Sequence, residues 1–168
     1  MKNIAETFKE GELTLIFYYA GHGIPNEQTK DAYLMPIDAD AQKTNIYYPT
    51  GKLINDLAST GARNIVVFLD ACFSGAQRGE GVLAENRGVV IKPKEVAPKG
   101  QMVMFSSAMG DETAWPYKEK GHGLFTYFLL KKLQQSAGEV TLDELSDYLV
   151  MQVRRQSALN LKKQTPTV

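Results

Sequence analysis

Three stretches of the chain are apolar with no polar alternation: Leu13 to Ala20 (LTLIFYYA), Asn64 to Leu69 (NIVVFL) and Gln101 to Phe105 (QMVMF). Each is short and rich in β-branched, aromatic or large aliphatic residues, which predicts strands. Runs without alternation predict strands buried on both faces, as in a parallel sheet covered by helices. Helical spacing fills the intervals. Leu53, Ile54, Leu57 and Ala58 share one face, with Gly61 beyond them as a natural stop. Leu124, Phe125, Phe128, Leu129 and Leu133 mark a longer amphipathic helix. Thr141 and Glu144 form a capping box ahead of Leu145, Tyr148, Leu149 and Val153. The order strand, helix, strand, long loop, strand, helix, helix predicts a layered α/β domain. The long loop is residues 76–100, rich in Gly, Pro and charge and without a period; such loops are usually functional or disordered.

Composition narrows this picture. The 168 residues suit a single domain, and 43% apolar residues are enough for a core. Nineteen basic and nineteen acidic residues cancel, so charge makes no case for nucleic acid or an anionic membrane as a partner. No apolar run approaches the roughly 20 residues of a membrane-spanning helix. Met1 to Gly11 is polar and does not resemble a signal peptide. The chain has one cysteine, Cys72, with no disulfide partner and too few companions for a structural zinc site. A lone free thiol suits a reducing, cytoplasmic compartment. By itself it reads first as a buried structural residue.

The neighbours of Cys72 argue for more. In parallel α/β sheets the reactive groups gather at the carboxyl ends of strands. One predicted strand stops at Gly21-His22-Gly23, and another at Asp70-Ala71-Cys72. If the two are parallel neighbours, imidazole and thiol emerge on one edge of the sheet. A thiolate is a nucleophile, and an adjacent imidazole takes its proton. The N–H groups of Gly23 and Cys72 are candidates for an oxyanion hole, and Gly75 allows the chain to turn sharply away. His122 sits in a second Gly-His-Gly, but after a polar, lysine-rich stretch; it reads as a helix-entry residue.

Tyr18-Tyr19-Ala20-Gly21-His22-Gly23 and Asp70-Ala71-Cys72-Phe73-Ser74-Gly75 resemble the His and Cys motifs of the caspase and metacaspase superfamily, the clan CD cysteine peptidases, and prokaryotic metacaspases in particular. In caspases the His lies about 50 residues before the Cys; here the separation is 50. Phe105-Ser106-Ser107 resembles the strand that closes the family's substrate pocket. Gly123-Leu124-Phe125-Thr126 resembles the opening of its small-subunit helix. Lys162-Lys163-Gln164-Thr165-Pro166 resembles the lead-in to its last strand. The ordered set covers residues 13–168. The resemblance implies a caspase-like fold, a three-layer sandwich with a mostly parallel central sheet flanked by helices. It also implies a cysteine endopeptidase that acts on a peptide or protein substrate through His22 and Cys72, with no metal or cofactor in the chemistry.

Departures from the caspase pattern bear on specificity. Caspases cleave after Asp and carry a Gln two residues before the cysteine, where this chain has Asp70. After the Phe-Ser-Ser run, caspases carry an Arg where this chain has Ala108. A carboxylate at the pocket base attracts Lys or Arg instead, and metacaspases, which resemble the chain at Asp70, prefer basic residues. The resemblance therefore implies cleavage after Arg or Lys, with Asp70, Ser106 and Asp111 binding substrate. Glu112 is the alternative to Asp111, and Trp115 reads as packing or a subsite wall. A preference for basic residues would permit self-nicking of the long loop at Arg78 or Arg87. Metacaspases often need calcium, but no acidic cluster here is assignable to it.

Complete domains of this family begin earlier and continue further, so the chain reads as truncated at both ends. Leu13 to Ala20 is then left as an apolar edge, open to self-association or to a covering segment. Two other functions compete. One is a catalytically silent caspase-like module for protein interaction. The other is an α/β hydrolase of another type, against which stands the absence of a G-x-S-x-G elbow.

Overall fold

The computed structural model describes residues 12–26, 28–37, 47–73, 92–94 and 96–168. Its main sheet has the order β3-β2-β1-β4-β5, with β1 at Thr14–Pro25, β2 at Ala32–Met35, β3 at Tyr48–Pro49, β4 at Asn64–Cys72 and β5 at Met102–Ser106. The three long strands are parallel: β1 pairs with β4 from Thr14↔Asn64 to His22↔Cys72, and β4 pairs with β5 from Ile65↔Met102 to Leu69↔Ser106. The short strands β2 and β3 add antiparallel ladders beyond β1, so the sheet is mixed. They were not legible as strands in the sequence because they span four and two residues, too few for a period.

Helices cover both faces. Helix α1, Thr50–Ala58, starts after Pro49, and the Thr50 hydroxyl donates to the Ala32 carbonyl at 3.0 Å. Its Leu53, Ile54 and Leu57 pack with Leu34, Ile65, Val67, Leu69 and Met102 on one side of the sheet. Helices α2, Leu124–Gln135, and α3, Leu142–Leu159, pack their Phe125, Phe128, Leu129, Leu149 and Val153 against Phe68 and Phe105 on the other side. The Phe68 and Phe105 rings stack at 5.0 Å across the β4–β5 ladder. Alternate residues of a strand point to opposite faces, so β4 serves both cores at once. This is the layered α/β domain that the pattern predicted and the three-layer sandwich that the resemblance implied. The capping box is present: Glu144 N–H donates to Thr141 Oγ1 at 3.2 Å, and Thr141 N–H donates to Glu144 Oε2 at 3.1 Å. Between β5 and α2, strands β6 (Pro116–Tyr117) and β7 (His122–Gly123) pair as a small antiparallel sheet. His122 thus lies on β7, just before α2, and is exposed.

Strand β1 departs from expectation in two ways. It does not stop at Gly21-His22-Gly23 but runs through them to Pro25, where β2 pairs with it from His22↔Met35 to Pro25↔Ala32. Nor is it buried on both faces: Ile16 is 68% and Tyr18 46% exposed. They share a face with Val66 and Phe68, but the apolar cluster that α2 and α3 form lies over β4 and β5 and takes in neither of them. Among the described residues, positions 14–21 pair only with β4.

Candidate active site

The parallel β1–β4 register sets the site. His22 and Cys72 are Cα partners at the last rung of that ladder. Partners in parallel register point to the same face, and neighbouring strands lie about 5 Å apart. Both side chains therefore leave the sheet side by side at its carboxyl edge, on the face that carries α2. The imidazole is exposed, whereas Cys72 is only 5% exposed.

The thiol's hydrogen bonds go elsewhere. Ala114 N–H donates to Cys72 Sγ at 2.7 Å, and the thiol reaches the Ala114 carbonyl at 3.4 Å. Ala114 is fully buried on the segment between β5 and β6. Its backbone caps the sulfur.

Glycines shape the surroundings where a side chain would not fit. A Cβ on Gly23 would meet the Phe73 ring and, at 2.6 Å, the Cys72 carbonyl oxygen. A Cβ on Gly21 would meet Tyr19 Oη at 2.6 Å. That hydroxyl lies 2.8 Å from the His22 carbonyl oxygen and 2.9 Å from that of Met35, so it ties the His22 backbone to β2 from below.

Asp70 is 1% exposed, two residues before the cysteine. Its Oδ2 accepts from Thr126 Oγ1 at 2.6 Å and from Thr126 N–H at 3.3 Å, in the first turn of α2. Tyr18 Oη stands 2.7 Å from Thr126 Oγ1. The Gly123 N-cap supplies no side-chain cap to α2, and a Cβ there would collide with Asp70 Oδ2. Asp70 thus reaches from the sheet to do what a capping side chain does.

The other expected substrate contacts are more dispersed. Ser106 lies at the end of β5, its N–H donating to Thr167 at 2.9 Å and its carbonyl accepting from Thr167 at 3.0 Å. Asp111 is exposed. Glu112 is buried instead, accepting from Thr165 N–H at 2.5 Å and pairing with Lys163 at 3.1 Å. Trp115 packs on the tail, with Lys162 Nζ 3.9 Å from its ring centre and its own Nε1–H donating to the Lys163 carbonyl at 3.3 Å. Lys94 pairs with Asp31 at 3.8 Å, and Lys99 donates to Asn55 at 2.6 Å, which docks the end of the long loop beside the sheet. Gly75, Arg78 and Arg87 lie outside the described residues. Among the described residues, no three His, Cys, Asp or Glu side chains converge as a metal site, and no helix is long and apolar enough to cross a membrane. A groove of about 780 Å³ between α3 and the tail, bordered by Asp147, Met151, Arg154 and Lys162, lies apart from His22, Cys72 and Asp70.

The roles of Tyr18, Tyr19, Ala114, Thr126 and Gln164 escaped the sequence reading. Thr126 and Gln164 stand inside the quoted motifs, but their partners are 56 and 57 positions away, and no local pattern announces such pairs.

Comparison with known proteins agrees with this fold. The crystal structure of caspase-1 from Spodoptera frugiperda superposes with a TM-score of 0.62 at 17% identity, over 99% of this chain and 64% of that one. At that identity the likeness speaks for the fold. The chain thus spans less than two thirds of that caspase. No curated protein matches the chain in sequence. The caspase-domain model matches residues 1–168, the stretch that brings His22, Cys72 and Asp70 to one sheet edge, and the chain belongs to that family of caspase-like cysteine peptidases.

Proposed function

We propose that the protein is a cysteine endopeptidase that uses His22 and Cys72 as its dyad and cleaves after Arg or Lys. The observation behind this reading is the pairing of His22 with Cys72 at the end of the β1–β4 ladder, side chains on one face. In the proposed reaction His22 takes the thiol proton and Cys72 Sγ attacks the scissile carbonyl carbon. The Gly23 and Cys72 N–H groups receive the developing oxyanion. The C–N bond breaks as His22 returns the proton to the leaving amine. Water, deprotonated by His22, then attacks the thioester and releases the acid and the free thiol.

Basic specificity is proposed from the acidic residue two positions before Cys72, Asp70, whose carboxyl is buried and held by Thr126 here, so a cationic side chain would have to reach it there. A guanidinium or ammonium group in the pocket would pair with it. Asp111, exposed in the following loop, and Ser106 are the further contacts proposed. A preference for basic residues also makes Arg78 and Arg87 candidates for self-nicking. Intact masses of wild type and Cys72→Ala would differ if the nicking is its own, and both would be cut if a foreign protease is at work.

One observation favours a second reading. The Cys72 thiol is buried and bonded to Ala114. That suits a catalytically silent interaction module as well as a resting enzyme. Hydrolysis of a fluorogenic peptide ending in Arg, with and without calcium, decides between them. Turnover lost in both Cys72→Ala and His22→Ala supports the peptidase. Turnover only after Asp would refute the specificity, and no turnover in any condition would favour the silent module.

A further inference from the structure

We propose that Gln164 is a positioning residue for Cys72: it clamps the segment between β5 and β6 so that Ala114 stays on the thiol until substrate displaces it. This rests on the reading of Cys72 as nucleophile. Gln164 is 1% exposed, and both ends of its amide are used. Nε2 donates to the Ser107 carbonyl at 2.9 Å, and Oε1 accepts from Trp115 N–H at 2.7 Å. Ser107 and Trp115 are the two ends of the segment that holds Ala114. One side chain therefore closes the loop like a staple, and a buried amide with both ends paired is costly to disturb.

The rest of the tail reinforces the staple. Glu112, midway along the loop, receives Thr165 N–H and the Lys163 ammonium. Thr167 exchanges both backbone hydrogen bonds with Ser106 just ahead of the loop. The loop's first residue is also fixed to β4: Ser107 N–H donates to the Leu69 carbonyl at 2.9 Å, and Ser107 Oγ donates to that of Ala71 at 3.3 Å. Both ends of the loop are pinned, and Cys72 Sγ faces the Ala114 N–H. A peptide needs that same sulfur, so binding requires Ala114 to yield while Ser107 and Trp115 stay. The clamp keeps the loop framed during that exchange.

Cys72 is the chain's only thiol, so its alkylation by iodoacetamide, followed by intact mass, reports on the cap alone. Gln164→Ala is expected to label roughly tenfold faster than wild type, as two buried hydrogen bonds are lost. It should also raise KM for the Arg peptide more than it lowers kcat. Gln164→Glu keeps an acceptor for Trp115 but has no donor for Ser107 as a carboxylate, and should label at an intermediate rate; it serves if the alanine variant does not fold. Val153→Ala weakens the α3 core without touching the loop, and should lower the melting temperature while labelling at the wild-type rate. Wild-type labelling in folded Gln164→Ala, or equal acceleration in Val153→Ala, would overturn the clamp. Faster labelling of Gln164→Ala with no hydrolysis by any variant would uphold the clamp and remove the peptidase reading.

Discussion

Asp70 and Thr126 are 56 residues apart, yet one carboxyl oxygen of Asp70 receives both the hydroxyl and the backbone N–H of Thr126. The central sheet and helix α2 are thereby joined at the candidate site. Thr126→Val keeps the shape and removes the hydroxyl donor from a buried acid. It should cost about 1.5–3 kcal/mol, the worth of a hydrogen bond to a charged group, in urea unfolding. Thr126→Ser should restore most of that stability.

Gly23→Ala tests the packing between the strands that carry the proposed dyad. The added methyl group would strike the Phe73 ring and the Cys72 carbonyl, and the carbonyl cannot move without moving the end of β4. A displacement of about 1 Å at reacting groups costs on the order of a hundredfold in rate. The expected result is that kcat/KM for an Arg peptide falls by about that factor. An alanine variant with wild-type turnover would show that the strand ends tolerate separation.

Tyr19→Phe removes the hydroxyl that holds the His22 and Met35 carbonyls. The ring stays, so the α1 side of the core is unaffected. Stability should fall by about 0.5–1.5 kcal/mol. Amide exchange should rise at the β1–β2 junction and not in α3.

The α3 capping box predicts a pH dependence. The Thr141 backbone N–H, with the Thr141 side chain next, holds the Glu144 carboxyl below its ordinary value. A group depressed in the folded state stabilises above its unfolded value and loses that contribution as pH falls through its folded value. Thermal stability of wild type and Glu144→Gln should therefore differ near neutrality and converge in acid. A difference that grew in acid would contradict the capping role.

Much of the architecture was legible because it rests on local pattern. The runs at 13–20, 64–69 and 101–105 are strands, and the periodic stretches at 53–58 and 124–133 and the Thr141–Glu144 box lie where helices form. What misled was the assumption that an apolar run is covered on both faces: Ile16 and Tyr18 are apolar or aromatic and exposed. Burial depends on how far α2 and α3 extend across the sheet, which no period records. The candidate pair stood out because histidine and cysteine are rare in this chain and His22 is glycine-flanked. The surroundings were not. Asp70 reads as an open carboxylate from its place beside Cys72, but it is enclosed by Thr126. Glu112 reads as the alternative to Asp111 for binding substrate, but it is buried on the tail. Both outcomes follow from partners more than 50 positions away.

Because His22 and Cys72 meet at a rung of the sheet, their spacing of 50 residues in the chain has no mechanical role. The chain between them leaves β1 after Pro25, adds β2, β3 and α1, and begins β4 at Asn64. Outside β2, β3 and α1, its connections can lengthen at little entropic cost without moving either side chain. A slip of one residue in β4 would instead turn Cys72 to the opposite face and separate the pair at once. Natural variation in this lineage is therefore expected to collect as insertions between β2 and β3, while the count of residues from Asn64 to Cys72 stays fixed. Two proteins could differ widely in length here and keep the same chemistry.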